Sequence, residues 1–134
     1  MRDGSTREIK GGDTNAVFAQ FLSRYQSSIV ILSGSAKGTE HAIDSVQLTL
    51  GRGPGVDLAF DDESMSREHA AIEFTSEGFR LRDLGSTNGT LLNGGEVRAS
   101  ELKHGDRFQV GEHLFQLIVE ERERTPVTYV IDED

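Results

Sequence analysis

The sequence predicts an all-β domain, an antiparallel sandwich or barrel. Three observations carry that expectation. Short β-branched runs such as Ile29-Val30-Ile31-Leu32 recur along the chain. Turn-forming Gly, Asn and Ser residues punctuate them about every eight to twelve residues. No helical period is convincing between Ser28 and Glu121.

Taken in order, residues 1–27 read as an extension, 28–121 as the folded domain and 122–134 as a charged tail. Met1 to Thr14 is polar and glycine-bearing. Asn15 to Gln26 differs: Val17, Phe18, Phe21, Leu22 and Tyr25 recur at spacings of three and four, the apolar face of a short helix capped by Thr14 or Asn15. That helix is expected to dock on the domain from outside its core, the alternative being an exposed handle for a partner. Strands follow at Ile29–Leu32 and Val46–Leu50. Ala70–Phe74 and Phe79–Leu84 flank Ser76-Glu77-Gly78 as a hairpin. Thr90–Leu92 and Glu96–Arg98 flank Asn93-Gly94-Gly95 as a second, and Arg107–Gly111 and His113–Glu121 close the set. Beyond the charge cluster Glu120–Arg124, Thr125 to Ile131 reads as an edge strand or an arm.

Composition narrows the function. The 134 residues suit one domain with one core, at 35% hydrophobic and 28% charged. Fifteen glycines against two prolines suit many tight turns. A net charge of -9 argues against nucleic acid and anionic membrane as partners. Absence of cysteine removes disulfides, thiolate metal sites and thiol nucleophiles. Without an apolar run of bilayer length or a signal-like N-terminus, a cytoplasmic protein is expected.

Three loops concentrate the unusual residues. In Gly51-Arg52-Gly53-Pro54-Gly55 an arginine with a rigid, permanently charged fork stands between glycines. In Ser64-Met65-Ser66-Arg67-Glu68-His69 a hydroxyl and a guanidinium adjoin at the mouth of a strand. Gly85-Ser86-Thr87-Asn88-Gly89-Thr90 packs hydroxyls, an amide and backbone donors into one turn, of the kind that forms an anion-binding concavity. Alone, each has a plainer reading as a turn. The four histidines lack paired metal-ligand spacing, and His69 reads as a hydrogen-bonded residue holding neighbouring loops. No cofactor or metal is implied.

Together and in this order the loops resemble the forkhead-associated (FHA) domain family. Leu50-Gly51-Arg52, Ser66-Arg67-Glu68-His69-Ala70, Leu84 to Thr90 and Leu92-Asn93-Gly94 carry the resemblance, which spans about Ile29 to Glu120. It implies a sandwich of two antiparallel sheets, commonly of eleven strands, whose loops at one end bind phosphothreonine peptides as a non-catalytic signalling adaptor. It assigns the phosphate to Arg52 and Ser66, with Arg67 as a further donor. Thr87 falls near the phosphate and the threonine methyl, and Asn88 on the peptide backbone. His69 would brace the loops, while Gly51, Gly85, Gly89 and Asn93 shape them. In the family the loop before the serine helps choose the residue three places after the phosphothreonine. Here Asp61, Asp62 and Glu63 would all repel an acid there.

Two further classes stand beside this one. A hydrolase using Ser66 and His69 lacks a nucleophile elbow and a metal constellation, and on an extended chain the two would point to opposite faces. A phosphate-independent interaction or oligomerisation module would use a sheet face or the N-terminal helix. Thr125 and Thr128 would, if phosphorylated, make the chain's own tail a ligand.

Overall fold

The computed structural model describes residues 14–122. Residues 14–24 form a helix, α1, that runs directly into the first of eleven strands. These are β1 Tyr25–Ile31, β2 Glu40–Ala42, β3 Gln47–Gly51, β4 Leu58–Ala59, β5 Ala70–Thr75, β6 Gly78–Asp83, β7 Thr90–Leu92, β8 Gly95–Val97, β9 Ala99–Leu102, β10 Arg107–Val110 and β11 His113–Glu121. They build one sheet in the order β2-β1-β11-β10-β7-β8 and another in the order β4-β3-β5-β6-β9. The expected two-sheet sandwich is what forms.

Alternation explains the layers. Ile29 and Ile31 of β1 face Leu117 and Phe115 of β11 across one sheet. Ile72 and Phe74 of β5 face Leu81 and Phe79 of β6 across the other. All eight side chains are buried, with Leu48, Leu50, Phe108 and Val110 beside them. Outward-facing neighbours are polar: Glu73 and Arg82 pair across β5 and β6 at 2.7 Å.

Both expected hairpins are present. β5 and β6 pair around Ser76-Glu77, and β7 and β8 around Asn93 (φ 49°) and Gly94 (φ 93°), the left-handed pair a two-residue turn requires. β3 and β4 are parallel, a departure from purely antiparallel sheets. The reason is local. The Asp57 carboxylate accepts from the Thr49 N–H (2.8 Å) and hydroxyl (3.0 Å), and the Asp57 N–H returns a bond to the Thr49 oxygen. This clasp folds the chain back along β3 as a closed loop, the loop that carries Arg52.

The helix ends two residues earlier than expected. Tyr25 and Gln26 are drawn into β1 by pairing with Glu121 and Glu120. Thr14 and Asn15 already lie within the helix, so its cap falls outside the described residues. The docking expectation holds, and goes further. Although α1 lies outside the two sheets, Phe18 is only 5% exposed and packs on Phe74 at 4.8 Å between ring centroids. Among the described residues no helix is long and apolar enough to cross a membrane. The predicted tail beyond Arg122 lies outside the described residues.

Candidate functional site

Three loops meet at the end of the sandwich where β3 and β6 finish and β5 and β7 begin. The first two are zipped together by backbone bonds: Arg52 N–H donates to Ser66 C=O (3.0 Å) and Gly53 N–H to Arg67 C=O (3.1 Å). This puts the two arginines and the serine on one rim. Arg52 Nε donates to the Met65 carbonyl at 3.2 Å, which aims the side chain, and Met65 is anchored in the core.

His69 locks the second loop to the third. It is wholly buried. Its Nδ1 accepts the Ser66 N–H at 3.0 Å, so the ring proton sits on Nε2, which donates to Gly89 C=O at 2.8 Å. The backbone of His69 bonds Leu50 on one side and Leu84 on the other. Every polar group of the residue is thus spent on structure, as the sequence suggested. The imidazole meets the amide of Ser66 and not its hydroxyl, an arrangement that does not activate a nucleophile.

The third loop turns around Asp83, the last residue of β6. Its carboxylate accepts from Gly85 N–H and Ser86 N–H (3.0 Å each), the Ser86 hydroxyl (2.5 Å) and the Thr90 hydroxyl (2.7 Å). Ser86 Oγ in turn accepts the Gly89 N–H at 2.9 Å. Burial pushes the Asp83 carboxyl up, but these four bonds outweigh it and hold it below the usual carboxylate range. The signal was available: an aspartate two residues before a Gly-Ser is a turn acceptor. Gly85 and Gly89 have φ of 81° and 86°, the left-handed conformation that favours glycine.

Across the gap, Thr87 N–H donates to Ser66 Oγ at 3.0 Å. With that oxygen occupied as an acceptor, the Ser66 proton is left to donate outward. Asn88 Nδ2 donates to Ser64 C=O at 2.9 Å, which leaves its Oδ1 and second N–H for a ligand. The result is an open cavity of about 700 Å³ walled by Arg52, Ser66, Arg67 and Thr87, with Pro54 and Leu84 as apolar surface and Glu68 at the edge. Arg52, Arg67 and Thr87 are exposed. Among the described residues neither arginine is ion-paired. Two guanidiniums, a hydroxyl donor and loop amides around one opening can hold a doubly charged, three-oxygen anion.

Two expectations need correction. Asn93 is not brought to the site. Its side chain bonds Asp106 (3.2 Å) and the Arg107 N–H (3.0 Å), pinning the β7–β8 turn to β10 at the other end of β7. Nor do three carboxylates face outward before Ser66. Asp62 is buried, accepting from Ser64 N–H and hydroxyl, Glu112 N–H and His113 Nδ1 (2.8 Å). Burial raises its carboxyl and those bonds more than offset it, so it is held well below the usual range. Only Asp61 and Glu63 are exposed there. Among the described residues no group of three or more His, Asp or Glu side chains could hold a metal ion.

Residues 48–111 match the FHA domain family. The chain is 33% identical over 90 residues to the glycogen accumulation regulator GarA of Mycobacterium tuberculosis, covering 67% of this chain and 54% of GarA. It thus spans about half the length of that relative. It is 32% identical over 108 residues to the oxoglutarate dehydrogenase inhibitor of Corynebacterium efficiens, covering 81% of this chain and 75% of that one. A solved FHA domain from a structural and functional analysis of phosphothreonine-dependent FHA domain interactions is 25% identical. It superposes with a TM-score of 0.63, covering 75% of this chain and 99% of that one.

Proposed function

The chain belongs to the FHA domain family, a family of phosphothreonine-binding adaptor modules without catalytic activity, and from that premise we propose that this protein reads phosphothreonine in a partner protein. One observation carries the reading: Arg52, Ser66, Arg67 and Thr87 wall a single cavity in which, among the described residues, neither guanidinium is ion-paired. The phosphate takes charge-assisted bonds from Arg52 and Arg67 and the outward proton of Ser66. Charge-assisted bonds are about twice as strong as neutral ones, enough to overcome the net charge of -9 within about a Debye length. Asn88 takes the peptide backbone with its remaining amide groups. Leu84, Pro54 and Thr87 supply the surface on which the threonine methyl rests.

The exposed pair Asp61 and Glu63 favours ligands with a basic or apolar residue, and not an acid, three places after the phosphothreonine. The chain's own Thr125 and Thr128, once phosphorylated, join the candidate ligands. Titration against a degenerate phosphothreonine library, with the unphosphorylated library as control, tests the reading. Binding that requires the phosphate and is lost in Arg52→Ala supports it. Equal binding of both libraries, or none by folded protein, overturns it.

A further inference from the structure

A second opening lies at the other end of the sandwich and is of opposite character. It is an apolar groove of about 550 Å³ between α1 and the strand ends of β6, β9 and β11, floored by Phe21, Tyr25, Phe79, Leu102 and Val119. Phe21 is only half-buried, although its ring stacks on Tyr25 at 5.1 Å and meets Phe79 at 5.6 Å. Lys103, paired with Glu101 at 3.8 Å, stands on one bank with His104, and Glu77 also lines the groove. We propose that residues 126–131 of this same chain, Pro126-Val127-Thr128-Tyr129-Val130-Ile131, occupy this groove.

Four observations converge on that occupant. The chain leaves the described structure at the groove's edge: Arg122 N–H donates to Arg24 C=O (2.7 Å) and Arg122 Nε to Leu22 C=O (2.5 Å), and Arg24 itself lines the groove. From there nine residues extend at most about 30 Å, so residues 126–131 are within reach. Their composition fits. Val127, Tyr129, Val130 and Ile131 are the apolar residues between the charge cluster Glu120–Arg124 and Asp132-Glu133-Asp134, and they match the apolar floor of the groove. Finally, among the described residues β9 is the last strand of its sheet, with a partner strand on one edge only, and it contributes Leu102 to the groove. Val127 to Ile131 is a run of β-branched and aromatic residues suited to pairing with such an edge.

The test is NMR on the full chain. It contains two tyrosines, Tyr25 and Tyr129, so Tyr25→Phe leaves Tyr129 as a single ring probe. Occupancy predicts contacts from the Tyr129 ring to Phe21 and Phe79, unchanged on dilution. It also predicts amide exchange at residues 127–131 slowed about tenfold or more against an unfolded peptide. In the full chain Ile131→Asp should remove both signals and leave phosphopeptide affinity unchanged, because the phosphate cavity is at the other pole. Unprotected amides without ring contacts would overturn the proposal. Contacts seen only between differently labelled molecules in a mixed sample would also overturn it, by assigning the groove to a second copy.

Discussion

The backbone of Gly51 passes so close to Arg67 that a Cβ on Gly51 would lie 2.1 Å from the Arg67 carbonyl oxygen. Alanine at this position must therefore push the two zipped loops apart. Gly51→Ala is expected to destabilise by about 3 kcal/mol and to weaken phosphopeptide binding as Ser66 and Arg67 shift. Gly85→Ala is the contrast: its added methyl meets nothing within 4 Å, and only the positive φ resists, at about 1–2 kcal/mol. Urea denaturation of both variants checks the order.

Arg52→Ala should separate binding from folding. The side chain is exposed and gives up one hydrogen bond, to the Met65 carbonyl, so stability should fall by only about 0.5–1 kcal/mol. Affinity for a phosphothreonine peptide should fall about ten- to hundredfold, the loss of one or two charge-assisted bonds. Arg52→Lys keeps the charge without the fork and should fall between the two. Calorimetric titration beside thermal melts reads both quantities.

Ser66→Ala removes the outward donor and the acceptor of the Thr87 N–H together. About tenfold weaker binding is expected. Thr87→Ala keeps that backbone bond and should cost less. A double variant should lose about the sum of the two, since Thr87→Ala leaves the Thr87 N–H bond that Ser66→Ala removes.

His69→Ala should act from behind the site. It strands the Ser66 N–H and the Gly89 C=O and opens a cavity in a fully buried place. A loss of about 2–4 kcal/mol in stability is expected, with weaker peptide binding although Arg52 and Ser66 are intact. Denaturant midpoints and titration together check it.

Two pH windows should appear. Asp62 and Asp83 both have folded-state values depressed below the ordinary 3.8. Their contribution to stability is complete above that value and disappears as pH falls through the lower folded values. Asp62→Asn and Asp83→Asn should flatten the acid limb of stability below about pH 4. Ligand affinity should decline separately, below about pH 6, as the phosphate takes its second proton.

The parts of this fold that local chemistry decides were legible in the sequence. The β5–β6 and β7–β8 hairpins announced themselves because alternation and turn residues coincide. The parts decided by distant pairing were not. β2, β4 and β9 have three, two and four residues and are strands only by virtue of their neighbours. Tyr25 continued the helical spacing but was claimed by β11. Asp62 looked like one of three surface acids because its partner His113 is distant in sequence. At the site, Arg52, Ser66, Arg67 and Thr87 were readable as a set. Asp83 was readable too, from its place before Gly85-Ser86, whereas the clasp of Asp57 on Thr49 was not, because it depends on the chain returning along β3. Asn93 was assigned to the support of the site by motif alone; it does shape the backbone, but of the β7–β8 turn at the far end of β7.

The Arg122 clip at the C-terminal end of α1 has a consequence for assembly. β11 has nine residues, about 30 Å, and separates that clip from the phosphate cavity. Thr125 and Thr128 lie at most about 20 Å beyond the clip, too short to double back along the strand. On the proposed reading, a phosphate on either residue would be a ligand for the cavity of another molecule. Repeated, that contact joins the pole of one subunit to the opposite pole of the next, a head-to-tail arrangement that closes into rings or runs on as filaments. Phosphorylation of this tail would then switch subunit number, with an onset set by protein concentration.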